Sequence, residues 1–247
     1  MIASIILAAG LGKRMESKEK NKVVTPFMGK PMIIYGVELF KDISYPIVVV
    51  VGAFYQSIED SLKGYDVIYA CQEERVGTGN AVKVGIEALF SYSPESVLVG
   101  HGDHMMFYSK KTIENLIEMH KDNHPAVTMI TTEHAKPDEL AWGRIIRNNN
   151  YEIIDSVEQK DATVDQRKIT ELNAALYCFN YQFLKDFVGR IKKSPVTGEY
   201  YLNSLIKMAV TDGRRVIGFK VPFEEVGIGV NSPSDLIKSQ ELFLKKT

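Results

Sequence analysis

The stretch Leu7-Ala8-Ala9-Gly10-Leu11-Gly12-Lys13-Arg14-Met15, followed closely by Lys22, joins small residues to fixed positive charge. Glycine and alanine let a backbone come close to a ligand, and Arg and Lys then answer its negative charge. Polyphosphate recognition needs that combination. A turn after a strand would use the same glycines with no ligand at all. The stretch follows a short apolar run, Ile2 to Leu7, with the character of a buried strand.

Two later segments carry chemistry of the same kind. Gln72-Glu73-Glu74-Arg75-Val76-Gly77-Thr78-Gly79-Asn80 leads from one strand-like run into helical periodicity. Gln72 offers both a donor and an acceptor, as a base edge requires, and the N–H groups around Gly77 and Gly79 could face an anion. The competing reading is a plain connecting loop. Gly100-His101-Gly102-Asp103-His104 ends another strand-like run. A carboxylate there suits Mg²⁺, a hard cation held by few protein oxygens plus substrate phosphates. A loop Asp capping its own turn is the bland alternative. His101 and His104 raise zinc, but no third ligand is evident. His120, His124 and His134 read as surface residues.

Familiar phosphate loops are excluded. Gly12-Lys13 lacks the earlier glycine and the following hydroxyl of a Walker A loop. Gly10-Leu11-Gly12 has Met15 where a dinucleotide fingerprint has Gly or Ala. Among the basic residues, Lys13, Lys18 and Lys20 read as a solvated face, with Arg14 and Lys22 set apart from them.

These residues need elements to hold them. Ile47-Val48-Val49-Val50-Val51 is continuous and β-branched, as in a strand buried on both faces. Asp66–Tyr69, Ser96–Val99 and Ala126–Thr131 are similar. Helical periodicity fills Met32–Phe40, Gln56–Leu62, Ala81–Phe90 and Lys110–Asp122. The alternation predicts an α/β fold, a Rossmann-like, doubly wound, mainly parallel sheet. In such sheets ligands bind beyond the carboxyl ends of the strands, where all three segments would converge. After about residue 140 the pattern changes. Arg144–Arg147, Ile153–Val157 and Ala174–Phe179 are strand-like, with a turn signal at Asn148-Asn149-Asn150, so a hairpin-bearing insertion is expected beside the sheet. Helices at 181–192 and 201–211, a strand at Val216–Lys220 and a last helix capped by Ser232-Pro233 complete the chain.

Composition fits a single globular domain of 247 residues. Lys plus Arg (30) balances Asp plus Glu (31), which argues against a nucleic-acid partner. The apolar N-terminus lacks a basic region and is too short for a signal peptide, and no run approaches the ~18 apolar residues of a membrane span. Cytoplasmic location is expected, with no membrane partner. Cys71 and Cys178 read as buried free thiols.

The chain resembles the sugar-1-phosphate nucleotidyltransferases, and within them the uridylyltransferase domain of the bifunctional GlmU enzymes. The match is carried by Leu7-Ala8-Ala9-Gly10, Arg14-Met15, Lys22-Val23, Gly29-Lys30-Pro31-Met32, 72–81, Gly102-Asp103, Trp142-Gly143-Arg144-Ile145, 157–163, Glu171-Leu172-Asn173, Gly198-Glu199-Tyr200-Tyr201 and Gly229-Val230-Asn231. The resemblance implies a Mg²⁺-dependent reaction of UTP, or another pyrimidine triphosphate, with a sugar 1-phosphate such as N-acetylglucosamine 1-phosphate. It implies that Leu7, Ala9, Gly10, Gln72, Gly77 and Thr78 hold the nucleotide, and that Arg14 and Lys22 contact phosphates. Gly102, Gly143, Glu158 and Asn173 would meet the sugar, with Asp103 and Asn231 on the metal. It further implies one nucleotidyltransferase domain over 1–247, nucleotide-binding to about 140, sugar-binding over about 141–230, and a C-terminal helix over 232–247. A homo-oligomer stays open. A CTP- or dTTP-using enzyme and a non-catalytic nucleotide-sugar-binding module are the alternatives. The chain departs from the family at Asn21, usually Pro, in a loop to Lys22 that is one residue longer. It departs again at His101, at His104-Met105, and at Asn203-Ser204, usually Thr-Asp. The hexapeptide repeats of the acetyltransferase half do not occur in these residues.

Overall fold

The computed structural model describes residues 1–12, 15 and 19–246. Strand β1 (Ile2–Leu7) lies at the middle of the sheet because its side chains alternate between two cores. Ala3, Ile5 and Leu7 enter the core on one face, and Ile6 and Ala8 the core on the other. Strand β2 (Ile47–Val51) divides the same way, Val48 and Val50 to one face and Ile47, Val49 and Val51 to the other. Its unbroken β-branched run therefore reflects burial on both sides.

Seven more strands complete the sheet: β3 (Ile68–Cys71), β4 (Ser96–His101), β5 (Val127–Glu133), β6 (Arg144–Arg147), β7 (Ile153–Val157), β8 (Glu171–Asn180) and β9 (Val216–Lys220). The order is β9-β5-β8-β4-β1-β2-β3, with the hairpin β6–β7 joined to β8. All main strands run parallel except β8, which is antiparallel to both β4 and β5. A two-stranded ribbon (Pro26–Phe27 with Lys30–Pro31) stands apart.

Helices α1 (Met32–Phe40), α2 (Tyr55–Ser61) and α4 (Lys110–Asn123) cover one face, through Ile33, Val37, Ile58, Ile113 and Leu116. Helices α3 (Thr78–Glu87), α6 (Tyr181–Phe187) and α7 (Ser204–Thr211) cover the other, through Val82, Ile86, Phe183, Leu184, Leu205 and Ile206. Short α5 (Val164–Arg167) and α8 (Phe223–Val226) lie in connections. Helix α9 (Pro233–Lys246) starts where Ser232 Oγ accepts from Asp235 N at 3.2 Å, and it packs Leu236, Leu242 and Phe243 against Phe27, Phe107 and Val230. The architecture is the doubly wound, mainly parallel α/β sheet expected. No described helix is long and apolar enough to cross a membrane.

Several expectations need correction. The segment at 174–179 is not part of a side insertion. It belongs to the ten-residue β8, wedged into the main sheet, and only β6 and β7 form the hairpin beside it. The strand expected at 66–69 is displaced to 68–71, because pairing Val48 with Ile68 through Val51 with Cys71 sets the register. Helix α3 begins at Thr78, three residues early. The expected 181–192 helix ends at Phe187 in a 3₁₀ turn, Val188–Arg190, and α7 begins only at Ser204. Cys71 is exposed, since β3 is an edge strand, whereas Cys178 is buried. His120 is buried as well: its Nδ1 meets Thr128 Oγ1 at 2.9 Å, and burial pushes its pKa down to about 4.

Candidate active site

The carboxyl ends of β1, β3 and β4 open onto one cleft of about 750 Å³. Leu7, Ala9, Gly10, Lys22, Gln72, Gly77, Thr78, Asp103, Gly143, Glu158, Asn173 and Asn231 all line it. Arg14 lies outside the described residues, as do Lys13 and Lys18. Lys20 is exposed. Gly102 is the one described candidate that does not face the cleft. Its N–H donates to Leu7 O at 3.0 Å, and a Cβ there would press on Ile33 at 2.8 Å, so its smallness lets β4 pack against α1.

The central polar groups, two of them charged, come from three remote segments. Lys22 Nζ forms an ion pair with Asp103 and donates to Asn231 Oδ1 at 2.8 Å. Burial alone would raise the Asp103 pKa, but the Lys22 ammonium and nearby His101 outweigh it and hold the carboxyl below its ordinary value. His104 turns toward Trp142, with ring centroids 4.8 Å apart. Among the described residues no three His, Cys, Asp or Glu side chains gather as a metal cluster.

Asn21 explains how Lys22 is held. It is buried, and its Nδ2 reaches the carbonyls of Ala8 (3.0 Å), Gly10 (3.1 Å) and Ala53 (2.9 Å). Its Oδ1 accepts from Val23 N at 3.1 Å, capping the 3₁₀ turn Lys22–Val24, and its own N–H donates to Ser57 Oγ at 3.0 Å. One side chain thus ties the loop after β1 to the loop after β2 and fixes the turn that carries Lys22. A departure noted in the sequence has become a structural joint.

Beyond β3, Gln72 Nε2 donates to Gly77 O (3.2 Å) and Asn80 Oδ1 (2.6 Å), so the remaining amide atom, Oε1, is an acceptor. Gly77 has φ +119°, and a Cβ on it would lie 2.4 Å from Tyr200 O. The N–H of Gly79 bonds Tyr200 O at 2.8 Å, and Thr78 Oγ1 accepts from Leu202 N at 3.0 Å. Much of this loop's polarity therefore clasps the segment before α7, and the Gly79 N–H is not available to an anion.

On another wall of the cleft, β8 is bulged between Asn173 and Tyr177, with Ala175 at φ +56°. The bulge turns Asn173 into the cleft wall. Its Nδ2 donates to Tyr177 OH (2.7 Å) and Ser156 Oγ (3.1 Å), and its Oδ1 accepts from Ala175 N (2.9 Å). Glu158 lies close by, and burial, reinforced by Asp161 and Glu199, pushes its carboxyl up to about 7. Arg144, fully buried, donates to Trp142 O (2.5 Å) and Pro137 O (2.9 Å) and so shapes the loop that presents Gly143. Tyr201, Asn203 and Glu158 also line a second cavity of about 600 Å³, together with Ser204, Lys207, Met208 and Thr211 of α7.

Residues that line the cleft without a role assigned from the sequence include Arg75, Trp142, Glu199, Tyr201, Asn203 and Asp235. Most fall inside or beside the segments quoted for the resemblance. Asn203 was visible only as a departure from it.

The model of the MobA-like NTP transferase domain matches residues 4–175. The chain belongs to that family. It is a nucleotidyltransferase by that membership. Among similar proteins, the bifunctional protein GlmU of Caldicellulosiruptor saccharolyticus is 37% identical over 244 residues, 98% of this chain and 52% of that protein. GlmU of Thermoanaerobacter pseudethanolicus is 36% identical over 248 residues, 99% of this chain and 52% of that protein. The chain therefore spans about half the length of the curated relatives it matches. A structure of UDP-glucose pyrophosphorylase complexed with UDP-glucose superposes with TM-score 0.81 at 20% identity, covering 100% of both chains. A putative glucose-1-phosphate thymidylyltransferase from Bacillus anthracis gives 0.79 at 18% identity, covering 98% of this chain and 95% of that one. At those identities the structures speak for the fold.

Proposed function

We propose that this nucleotidyltransferase joins UTP to a sugar 1-phosphate, giving a UDP-sugar and pyrophosphate, with N-acetylglucosamine 1-phosphate as the acceptor. The observation that carries the reading is the Lys22–Asp103–Asn231 cluster, which shares one cleft with Gln72, Gly77 and Thr78 and with Gly143, Glu158 and Asn173. The relatives named GlmU support the choice of nucleotide and sugar. Residues up to about 140 would then serve the nucleotide, and about 141–230 the sugar, with the last helix bracing the cleft floor.

In this reading an oxygen of the sugar phosphate attacks the α-phosphorus in line, and pyrophosphate leaves. Lys22 exchanges its carboxylate and amide partners for phosphate oxygens, and its ammonium stabilises charge as it develops. Gln72 Oε1 accepts an N–H of the base. The glycine-rich turn at Gly10 lets the backbone lie close to the nucleoside, and Arg14 would add a second cation at the phosphates. The cleft walls align the two substrates, so that positioning supplies much of the rate. Asp103 and Asn231 offer hard oxygens that already share one cation, the Lys22 ammonium. That donor set fits Mg²⁺, completed by phosphate and water oxygens, and not zinc. When bound, Mg²⁺ would neutralise triphosphate charge.

Pyrophosphate release across the four ribonucleoside triphosphates and dTTP, against a panel of sugar 1-phosphates, tests the reading. Turnover should be fastest with UTP and N-acetylglucosamine 1-phosphate and should disappear with a chelator. Release with no UTP-containing pair would refute it, and CTP or dTTP in its place would move the proposal to another pyrimidine.

A further inference from the structure

Three buried side-chain polar atoms have no hydrogen-bond partner among the described residues: Thr131 Oγ1, Tyr181 OH and Asn203 Nδ2. Only Asn203 lines the cleft. It is 3% exposed. Its position heads α7, where an Asn side chain ordinarily caps the helix, yet this one makes no capping bond. Its Nδ2 points instead toward Gly143, lying 3.4 Å from where a Cβ on that glycine would be, beside Ser156 Oγ and Asn173.

The neighbouring amide offers a contrast. Both N–H groups of Asn173 are already engaged, by Tyr177 OH and Ser156 Oγ. Other polar groups also line the cleft: the Glu158 and Glu199 carboxyls, which serve mainly as acceptors, and the Tyr177 and Tyr201 hydroxyls. The sugar end of the cleft therefore has one side-chain amide donor in want of an acceptor. A buried donor left unpaired is costly, so one on a cleft wall is a candidate for a partner from outside the chain.

We propose that Asn203 is a specificity residue whose Nδ2 donates to an oxygen of the sugar moiety, either the carbonyl of a 2-acylamino group or a ring hydroxyl. The inference rests on the cleft holding a nucleotide sugar, as proposed above. It assigns to Asn203 a side-chain amide hydrogen bond that distinguishes the sugar from bare nucleoside diphosphate. An amide donor rejects a ligand without a matching oxygen more strongly than an apolar wall would, because its own N–H is then left stranded.

The test compares wild-type protein with Asn203→Leu, a replacement of similar size that carries no donor. Calorimetric titrations with UDP, UDP-glucose and UDP-N-acetylglucosamine give the sugar's contribution as the difference from UDP. Asn203→Leu should bind UDP as the wild type does and should lose about tenfold for the sugar, the worth of one buried hydrogen bond. A loss confined to UDP-N-acetylglucosamine assigns the acyl oxygen; a loss shared with UDP-glucose assigns a hydroxyl. The ligand-free melting temperature should be unchanged or higher, since the variant removes an unpaired donor and no internal hydrogen bond. A lower melting temperature with unchanged sugar discrimination would make Asn203 a structural residue and overturn the proposal. If Asn203→Leu does not fold, Asn203→Ala, which removes the donor without putting an acceptor in its place, must show the same selective loss. Wild-type protein that binds none of the three ligands would refute the nucleotide-sugar reading together with this inference. Binding of all three with Asn203→Leu matching the wild type would refute this inference alone.

Discussion

Replacing Glu158 with Gln should stabilise the ligand-free protein, and only above mildly acidic pH. The carboxyl, ordinarily near 4.5, is pushed up to about 7 by burial, by Asp161 and by Glu199, against weaker help from Arg144 and Lys160. The folded state therefore binds this proton more tightly than the unfolded chain does. The group's favourable contribution is complete below about pH 4.5 and is lost as pH rises toward 7. Each pH unit corresponds to about 1.4 kcal/mol, so the displacement sets a ceiling of about 3 kcal/mol. Partial contact with solvent in the open cleft screens this to about 1–2 kcal/mol. Glutamine has the same shape and carries no charge at any pH. Glu158→Gln should thus melt roughly 2–8 °C above wild type at pH 8 and alongside it at pH 4.5. Thermal melts of both proteins across that range, read as a difference profile, isolate this one group from every other titration. Equal melting at pH 8, or the same gain at both pH values, would refute the argument that the cleft keeps an uncompensated carboxylate. The gain should be accompanied by weaker acceptor binding, since a carboxylate kept at such a cost suits the hydroxyls of a sugar.

Lys22→Met should lower kcat by about 10²–10³-fold, the scale for one preorganised electrostatic contact, with steady-state kinetics at saturating substrates as the measurement; near-wild-type kcat would remove Lys22 from the mechanism. Asn21→Asp sets a carboxylate against the carbonyls of Ala8, Gly10 and Ala53 and should cost about 2–4 kcal/mol, seen in urea unfolding, with a fall in kcat as the Lys22 turn loosens. Gly77→Ala drives a Cβ into Tyr200 O at a φ of +119°, so it should cost about 2–3 kcal/mol and raise the KM for the nucleotide more than that for the acceptor.

Much of the fold was legible because its signals are local. The five-residue β-branched run of β2, the apolar run of β1 and the Ser232-Pro233 start of α9 each follow from neighbouring residues. Errors arose where distant pairing decides. The register of β3 is set by β2, and β8 enters the main sheet because β4 and β5 both offer it an edge. Cys71 and His120 were placed on the wrong side of the surface for the same reason: apolar surroundings in sequence do not tell an edge strand from a central one, or which face of a helix meets the sheet.

The sequence by itself determined the residue types at the cleft, since phosphate, base and sugar chemistry each demand particular side chains near strand ends. Only the tertiary structure decided their relations. It joined Lys22 to Asp103 and Asn231 across about two hundred residues of chain, made Asn21 the joint between two loops, and turned Gly102 into a packing glycine. It also showed that Asn173 is already satisfied while Asn203 is not. The physical reason is that a hydrogen bond or ion pair depends on distances of a few ångströms between groups far apart in the chain. No local pattern records those distances; the packing of two cores against one sheet fixes them.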